Sequence, residues 1–368
     1  MKGVRLQVPF SMLPARHSKN RRKFLKVFKK IIKESDFILG ESVEIFESKF
    51  SEFVGSKFAV GVANGSDAIR LALLIKNLPQ NGRVGVAANT YFSAASAIIQ
   101  AGLIPEFFDV DLITRFPTEK NITSTLTNNT VALIRSHLYG EVDACQINQY
   151  LEIHDCSQAH GTFNSGVHVG KGHLSTYSFY PGKNLGAFGD AGMITTDSYD
   201  EYQLSKAYRN QGTFSDRYLH EILGFNSRMD TIQAEILRIK LLDLQFQNNR
   251  RIDIANLYIK NLSIVSPRIR IFSSNQSTKS SFHIFQIFLN DLDLKKVQQL
   301  LKNYGIASGR HYPIPLHLQP ALKKLGYQKG DFPNAELLAR QSLSLPIYPE
   351  LTDSQVNYVS EKLIEIAT

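Results

Sequence analysis

Short, almost unbroken apolar runs, several of them separated by stretches of helical period, dominate the chain from residue 58 to residue 196. The runs fall at Phe58–Val62, 83–88, Ile104–Phe108, 131–136, 151–154, 173–179 and Gly192–Thr196, and residues 67–76 and 93–101 carry apolar side chains at helical spacing between them. Strands that do not alternate apolar with polar positions are covered on both faces. The pattern therefore predicts an α/β fold, with helices layered around a largely parallel sheet. After residue 196 the texture changes to long helical patterns at Tyr199–Arg209 and from 231 to about 258. A polar stretch (273–281), a strand-like run (282–289) and helical patterns at 294–304, 335–342 and Asp353–Ala367 follow. This predicts a large domain over 1–250 and a smaller α+β domain over 251–368, with the N-terminal segment able to pack on the small one.

The chain of 368 residues, 43% hydrophobic, is long enough for two cores. Its net charge of +9 is concentrated between Arg16 and Lys33, where Phe24, Leu25, Val27, Phe28, Ile31 and Ile32 interleave with the basic residues. That spacing reads as an amphipathic helix with a solvated basic face. No zinc-finger or RNP-type signature accompanies it, so no nucleic-acid partner is expected. No apolar run reaches the ~18 residues that would span a bilayer. Charges from Lys2 and Arg5 onward leave no uninterrupted leader-like apolar region, so no membrane association and a cytoplasmic location are expected. Two cysteines, Cys145 and Cys156, make neither a disulfide framework nor a metal motif, and no metal is expected.

Candidate chemistry gathers where apolar strands end, the edge at which open α/β sheets bind ligands. The first junction, Asn64-Gly65-Ser66-Asp67, leads into a helix whose free amides could cradle a phosphate, although any capped helix after a strand looks similar. The second, Asn89-Thr90-Tyr91-Phe92-Ser93, puts aromatics where one could stack on a flat heterocycle or simply fill the core. The third leaves Asp155 directly after an apolar strand, either a turn or capping acid or the partner of a buried cation. The fourth, after Ser178, reads Phe179-Tyr180-Pro181-Gly182-Lys183-Asn184-Leu185-Gly186 and encloses Lys183 among Gly, Pro and aromatic residues. Taken together these fit one ligand, pyridoxal 5′-phosphate (PLP). Lys183 would hold its aldehyde carbon, Asp155 would keep its ring nitrogen protonated, and Ser66 and Ser178 would hold its phosphate.

The segments GVANGSDAI, ANTYFSAASAI, HLYG, HDCSQAHG, SFYPGKNLGAFGDAG, GFNSRMDTIQAEIL and HYPIPLHLQPAL resemble, in order over nearly the whole chain, the DegT/DnrJ/StrS sugar-nucleotide aminotransferases. The resemblance implies a fold-type I PLP enzyme, an obligate homodimer with active sites at the interface, and ping-pong transamination with L-glutamate as donor and 2-oxoglutarate as its product. It implies Lys183 as Schiff-base lysine, Asp155 as pyridinium partner, Gln158 at the cofactor's phenolic oxygen and Tyr91 on its ring. Gly65, Ser66 and Ser178 correspond to phosphate contacts, and Asn226 to a phosphate contact from the other subunit. His311, Tyr312 and His317 correspond to a loop near the sugar, and His160 and Tyr180 are further substrate candidates.

The pattern Gln158-Ala159-His160-Gly161 resembles enzymes acting at C3 of dTDP-3-keto-6-deoxyhexoses. The expected product is thus a dTDP-3-amino-3,6-dideoxyhexose, used in bacterial surface polysaccharides or glycosylated natural products. Amination at C4 and a non-catalytic PLP-binding regulator are the alternatives. Cys156 and Ser157 stand where the family has small residues. The link from Glu141 to Tyr150 is shorter than the usual crossover helix, so a single helical turn or a loop is expected there.

Overall fold

The computed structural model describes residues 7–263, 268–272 and 277–368. Lys2, Arg5 and residues 273–276 of the polar stretch lie outside the described residues. Three helices come first: α1 (Leu13–Ser18), α2 (Arg21–Glu34) and α3 (Glu41–Val54). The basic amphipathic pattern forms α2, with Phe24 and Ile31 buried and the lysines and arginines exposed. The next stretch alternates: β1 (Phe58–Val62), α4 (Gly65–Ile75), β2 (Arg83–Ala87), α5 (Phe92–Gln100), β3 (Ile104–Phe108), α6 (Glu119–Thr123), β4 (Thr130–Ser136) and β5 (Leu151–Asp155). After it come β6 (Phe163–Asn164), β7 (Val167–His168), β8 (Ser175–Ser178), β9 (Gly192–Thr196), α7 (Tyr199–Arg209) and the long α8 (Thr231–Leu262). The C-terminal part contains β10 (Ile269–Ile271), β11 (Thr278–Lys279), β12 (Phe285–Leu289), α9 (Leu294–Asn303), α10 (Pro333–Gln341), β13 (Ser342–Leu345) and α11 (Asp353–Ala367).

Seven strands form one sheet in the order β1-β9-β8-β5-β4-β2-β3. The pairs β3/β2, β2/β4, β4/β5 and β5/β8 are parallel, and β9 runs antiparallel between β8 and β1. Every strand but β9 therefore delivers its C-terminus to the same edge. Both faces are covered, as the unbroken apolar runs require: Met193 packs with Phe46, Phe50 and Phe179, while its neighbour Ile194 packs with Val62, Ile69 and Leu71 in a separate cluster. A second sheet, β10-β12-β13, shares a core with the last turns of α8 (Ile254, Tyr258, Leu262) and with α9 and α11. Val8 bridges to Ile306 of this unit, while Leu316, Leu322, Phe332 and Leu338 pack instead into the cluster around the large sheet.

The link between β4 and β5 contains no α-helix. A 3-10 turn at Leu138–Gly140 is followed by irregular chain up to β5. Arg135 organises that chain from beneath. Its guanidinium grips Asp143 (Nε–Oδ2 2.7 Å, Nη2–Oδ1 2.6 Å), the Cys145 carbonyl (2.6 Å) and Glu152. A fully buried arginine with three partners thus takes over the space-filling role of a crossover helix. Its neighbour Cys145 is half-buried and Cys156 fully buried; both are free thiols.

Close backbone approach fixes the start of α4. A Cβ on Gly192 would fall inside contact distance of the Asn64 carbonyl and 2.9 Å from the Gly65 amide nitrogen, and a Cβ on Gly65 would meet Ser178 Cβ at 2.5 Å. Strands β8 and β9 therefore touch the helix start through glycine alone. Gly192→Ala should destabilise the protein by about 1–3 kcal/mol in urea unfolding, because backbone, not a movable side chain, opposes the methyl. An unchanged midpoint would refute the close approach.

Candidate active site

The strand ends at the shared edge line a cavity of about 690 Å³, and Asn64, Gly65, Ser66, Tyr91, Asp155, Gln158, Ser178, Tyr180, Lys183, His311 and Tyr312 all reach it. The parallel register positions those from the large sheet: Asp155 ends β5, paired with Ser136 of β4 and Thr176 of β8, and Ser178 ends β8, whereas His311 and Tyr312 come from the C-terminal unit.

At one wall, Asn64 caps α4 by accepting from the Asp67 amide at 2.8 Å. The first helical amides, of Gly65 and Ser66, meet no protein acceptor among the described residues, as expected of a helix start. With the exposed Ser66 and the half-buried Ser178, they form a cradle whose helix dipole favours an anion. Opposite stands Asp155, buried at 9% exposure and accepting from the Ser157 amide at 3.0 Å. Burial pushes its carboxyl pKa up, against the Ser157 hydrogen bond and the charge of Lys183. Lys183 is held in a turn by its amide bond to the Tyr180 carbonyl (2.8 Å), and desolvation lowers its ammonium to about 8 although Asp155 opposes the shift. The acid and the amine thus each lower the other's cost of burial.

Tyr91, at the N-cap of α5, leaves its ring 55% exposed and 5.2 Å from that of Tyr312, a flat surface on the cavity. Gln158 is fixed at both ends: its carbonyl accepts from the Tyr139 amide (2.6 Å) and its amide donates to the Tyr312 hydroxyl (2.7 Å). His311 contacts Ser344 Oγ at 2.9 Å, and burial lowers its pKa to about 4, so its ring is neutral at pH 7.

Three expected residues lie elsewhere. His160 is fully buried behind the wall, against Tyr177 and Phe179, and burial pushes its pKa far down. His317 is paired with Glu336 (3.2 Å) under the ring of Phe332, away from the cavity. Both imidazoles fill core positions of the segments that carried the sequence pattern, and neither lines the cavity. Asn226 is exposed, accepts from Arg228 Nε at 3.1 Å and does not face its own chain's cavity.

Conversely, Phe10, Arg16, His137, Arg251, His283 and Tyr348 line the cavity without having been singled out. His137 follows β4 and opens the HLYG segment, whereas the other five arrive from the N-terminal segment, α8 and the C-terminal unit, where no local motif marks them.

A phosphate cradle with unfilled amides, an exposed aromatic face, a buried carboxyl and an amine of lowered basicity together fit PLP. Fold and site define the class, a fold-type I PLP-dependent transferase. Residues 18–364 match the DegT/DnrJ/EryC1/StrS aminotransferase family, and the chain belongs to it: it is a PLP-dependent sugar aminotransferase. It is 34% identical to the "Pleiotropic regulatory protein" of Geobacillus stearothermophilus, covering 98% of each chain. It is 33% identical to the dTDP-3-amino-3,4,6-trideoxy-alpha-D-glucose transaminase of Streptomyces venezuelae, over 98% of this chain and 96% of that one. The structure of S. venezuelae DesV in complex with a ketimine intermediate superposes with a TM-score of 0.93 at 31% identity, over 99% of both chains.

In the cofactor-free protein, labelling of Lys183 by trinitrobenzenesulfonate, read by peptide mapping, should titrate with a midpoint near pH 8. Asp155→Asn removes the charge that raises this value and should move the midpoint lower. A midpoint at the ordinary lysine value of 10.5 would contradict the desolvation argument.

Proposed function

We propose that the protein moves the amino group of L-glutamate to C3 of a dTDP-3-keto-6-deoxyhexose, giving a dTDP-3-amino-3,6-dideoxyhexose, and that it does so in the cytoplasm as a homodimer. The observation that carries the reading is the convergence of Lys183, Asp155 and the α4 amides on one cavity. Amination at C3 is supported by the pattern Gln158-Ala159-His160-Gly161 and by the 3-amino sugar in the name of the S. venezuelae relative. Among the described residues no helix is long and apolar enough to cross a membrane.

When bound, PLP contributes an aldehyde and an electron-withdrawing ring. The protein's own residues do the rest. With a pKa of about 8, Lys183 is neutral in about one molecule in ten at pH 7, enough for it to act as a nucleophile and proton carrier without being lost to a salt bridge. Asp155, in the same cavity as that amine, would offer a negative charge to a protonated ring nitrogen, and such a partner would draw its raised pKa back down. The Gly65 and Ser66 amides, with Ser66 and Ser178, would hold the phosphate, and Tyr91 would offer its ring to the cofactor's. Gln158, immobilised between Tyr139 and Tyr312, would meet the cofactor's oxygen with its amide. We assign Asn226 to the phosphate of the opposite subunit, in keeping with its exposed position outside its own cavity, and take residues 1–250 and 251–368 as the two domains.

The name of the G. stearothermophilus relative favours a second reading, a PLP-binding regulator. Both readings place the cofactor on the Lys183 amine, and they separate in one experiment. L-Glutamate should bleach the visible absorbance of the holoenzyme and the keto sugar should restore it, with NMR locating nitrogen at C3. Bleaching without restoration by any keto sugar would favour the regulator; nitrogen at C4 would move the assignment to the other ketone.

Lys183→Ala should lower turnover by at least 10²–10⁴-fold, the usual worth of a positioned proton carrier, while leaving phosphate-anchored cofactor bound. Asn226→Ala should weaken PLP retention on dialysis, and unchanged retention would remove the cross-subunit assignment.

A further inference from the structure

Apart from histidines, three cationic side chains line the cavity among the described residues: Lys183, Arg16 and Arg251. Lys183 is the amine that the charge of Asp155 acts on. Arg251 is held by protein carbonyls, donating from Nη1 to Ile347 (2.7 Å) and Phe282 (3.3 Å). Arg16 differs from both. Its side chain is 5% exposed, its Nε has no hydrogen-bond partner, and its Nη1 reaches only the Lys183 carbonyl, at 3.4 Å. The nearest carboxylate, Glu350, stands 3.9 Å from Nε and leaves its own Oε2 unpartnered. The charge of Glu350 acts on both Arg16 and Arg251, and Arg16 Nε stays without a hydrogen-bond partner. A guanidinium remains charged, and its planar fork matches a carboxylate.

The N-terminal segment is held so that Arg16 stays where it is. Gln7 and Val8 amides donate to the Gly305 carbonyl (2.8 and 3.1 Å), and Phe10 stacks on His311 at 5.8 Å. His17 Nε2 meets Lys240 Nζ at 3.0 Å, and that ammonium donates to the Gly186 carbonyl at 2.5 Å. Arg16 is thus tied to the backbone of the reactive lysine and lies within about one side-chain length of its amine.

We propose that Arg16 binds a carboxylate of the amino donor, so that the N-terminal segment forms part of the donor subsite; this rests on the transaminase reading above. The cofactor's phosphate already has the α4 amides, Ser66 and Ser178. The diphosphate of a nucleotide sugar extends from the ring toward solvent and suits exposed cations, not a guanidinium as buried as this one.

Calorimetry of glutarate binding to the holoenzyme tests the assignment, since glutarate carries two carboxylates and no amine. Arg16→Gln should weaken glutarate, and raise the half-saturating L-glutamate concentration for bleaching, by about 10- to 100-fold, the range for hydrogen bonds to a charged group. Arg16→Lys should recover part of the loss. Glu350→Gln removes the competing carboxylate and should tighten glutarate, which a merely structural role for Arg16 does not predict. Glutarate affinity unchanged in Arg16→Gln, or not tightened in Glu350→Gln, overturns the proposal. So does loss of PLP from folded Arg16→Lys, which would assign the anion to the cofactor, or a rise in keto-sugar KM with the donor step intact, which would assign it to the diphosphate. A wild-type enzyme that glutamate fails to bleach would instead defeat the transaminase reading itself.

Discussion

An acid and an amine buried in one cavity are the constraint on which the rest of the structure depends. Desolvation alone would push Asp155 toward its neutral acid and Lys183 toward its neutral amine, and each moves in that direction. Their mutual attraction limits both shifts. The result is a carboxyl that welcomes a cationic partner and an amine still basic enough to accept a proton, yet neutral often enough to react. Neither group could be tuned in this way at the protein surface, where water would restore its ordinary pKa.

Keeping the pair in register is the work of the sheet. Parallel pairing of β4, β5 and β8 brings the residue after each strand to one edge, and β9, the single reversed strand, returns the chain so that Gly192 can pass against the start of α4. The missing crossover helix between β4 and β5 does not disturb this edge, because Arg135, Asp143 and Glu152 hold the link from within. The cavity is closed from the other side by segments distant in sequence, the N-terminal strap and the loops of the C-terminal unit.

Legibility in the sequence followed the same division. The strands at 58–62, 104–108 and 192–196 and the functional strand ends could be read from local apolar runs, because burial on both faces leaves a local signal. Asp155 stood out directly after such a run, and Gly65, Ser66 and Lys183 stood out within four residues of one. His160 and His317 do not line the cavity, since a motif gives a residue's place in the chain but not the direction of its side chain; both turn inward, one against Phe179 and the other toward Glu336. Arg16 had the opposite fate. In the sequence it is one more base in a basic stretch, and only the fold of α1 across the cavity separates it from the solvated lysines of α2.

Burial also lowers a second lysine, Lys240, to about 7, but its amine is engaged by His17 and the Gly186 carbonyl and does not line the cavity. The two amines are therefore similar in basicity and different in access, which makes them a direct contest. Borohydride reduction of the holoenzyme, followed by peptide mapping, should leave the pyridoxyl label on the peptide carrying Lys183. A label on Lys240, or none on either, would contradict the assignment of Lys183 as the cofactor's anchor.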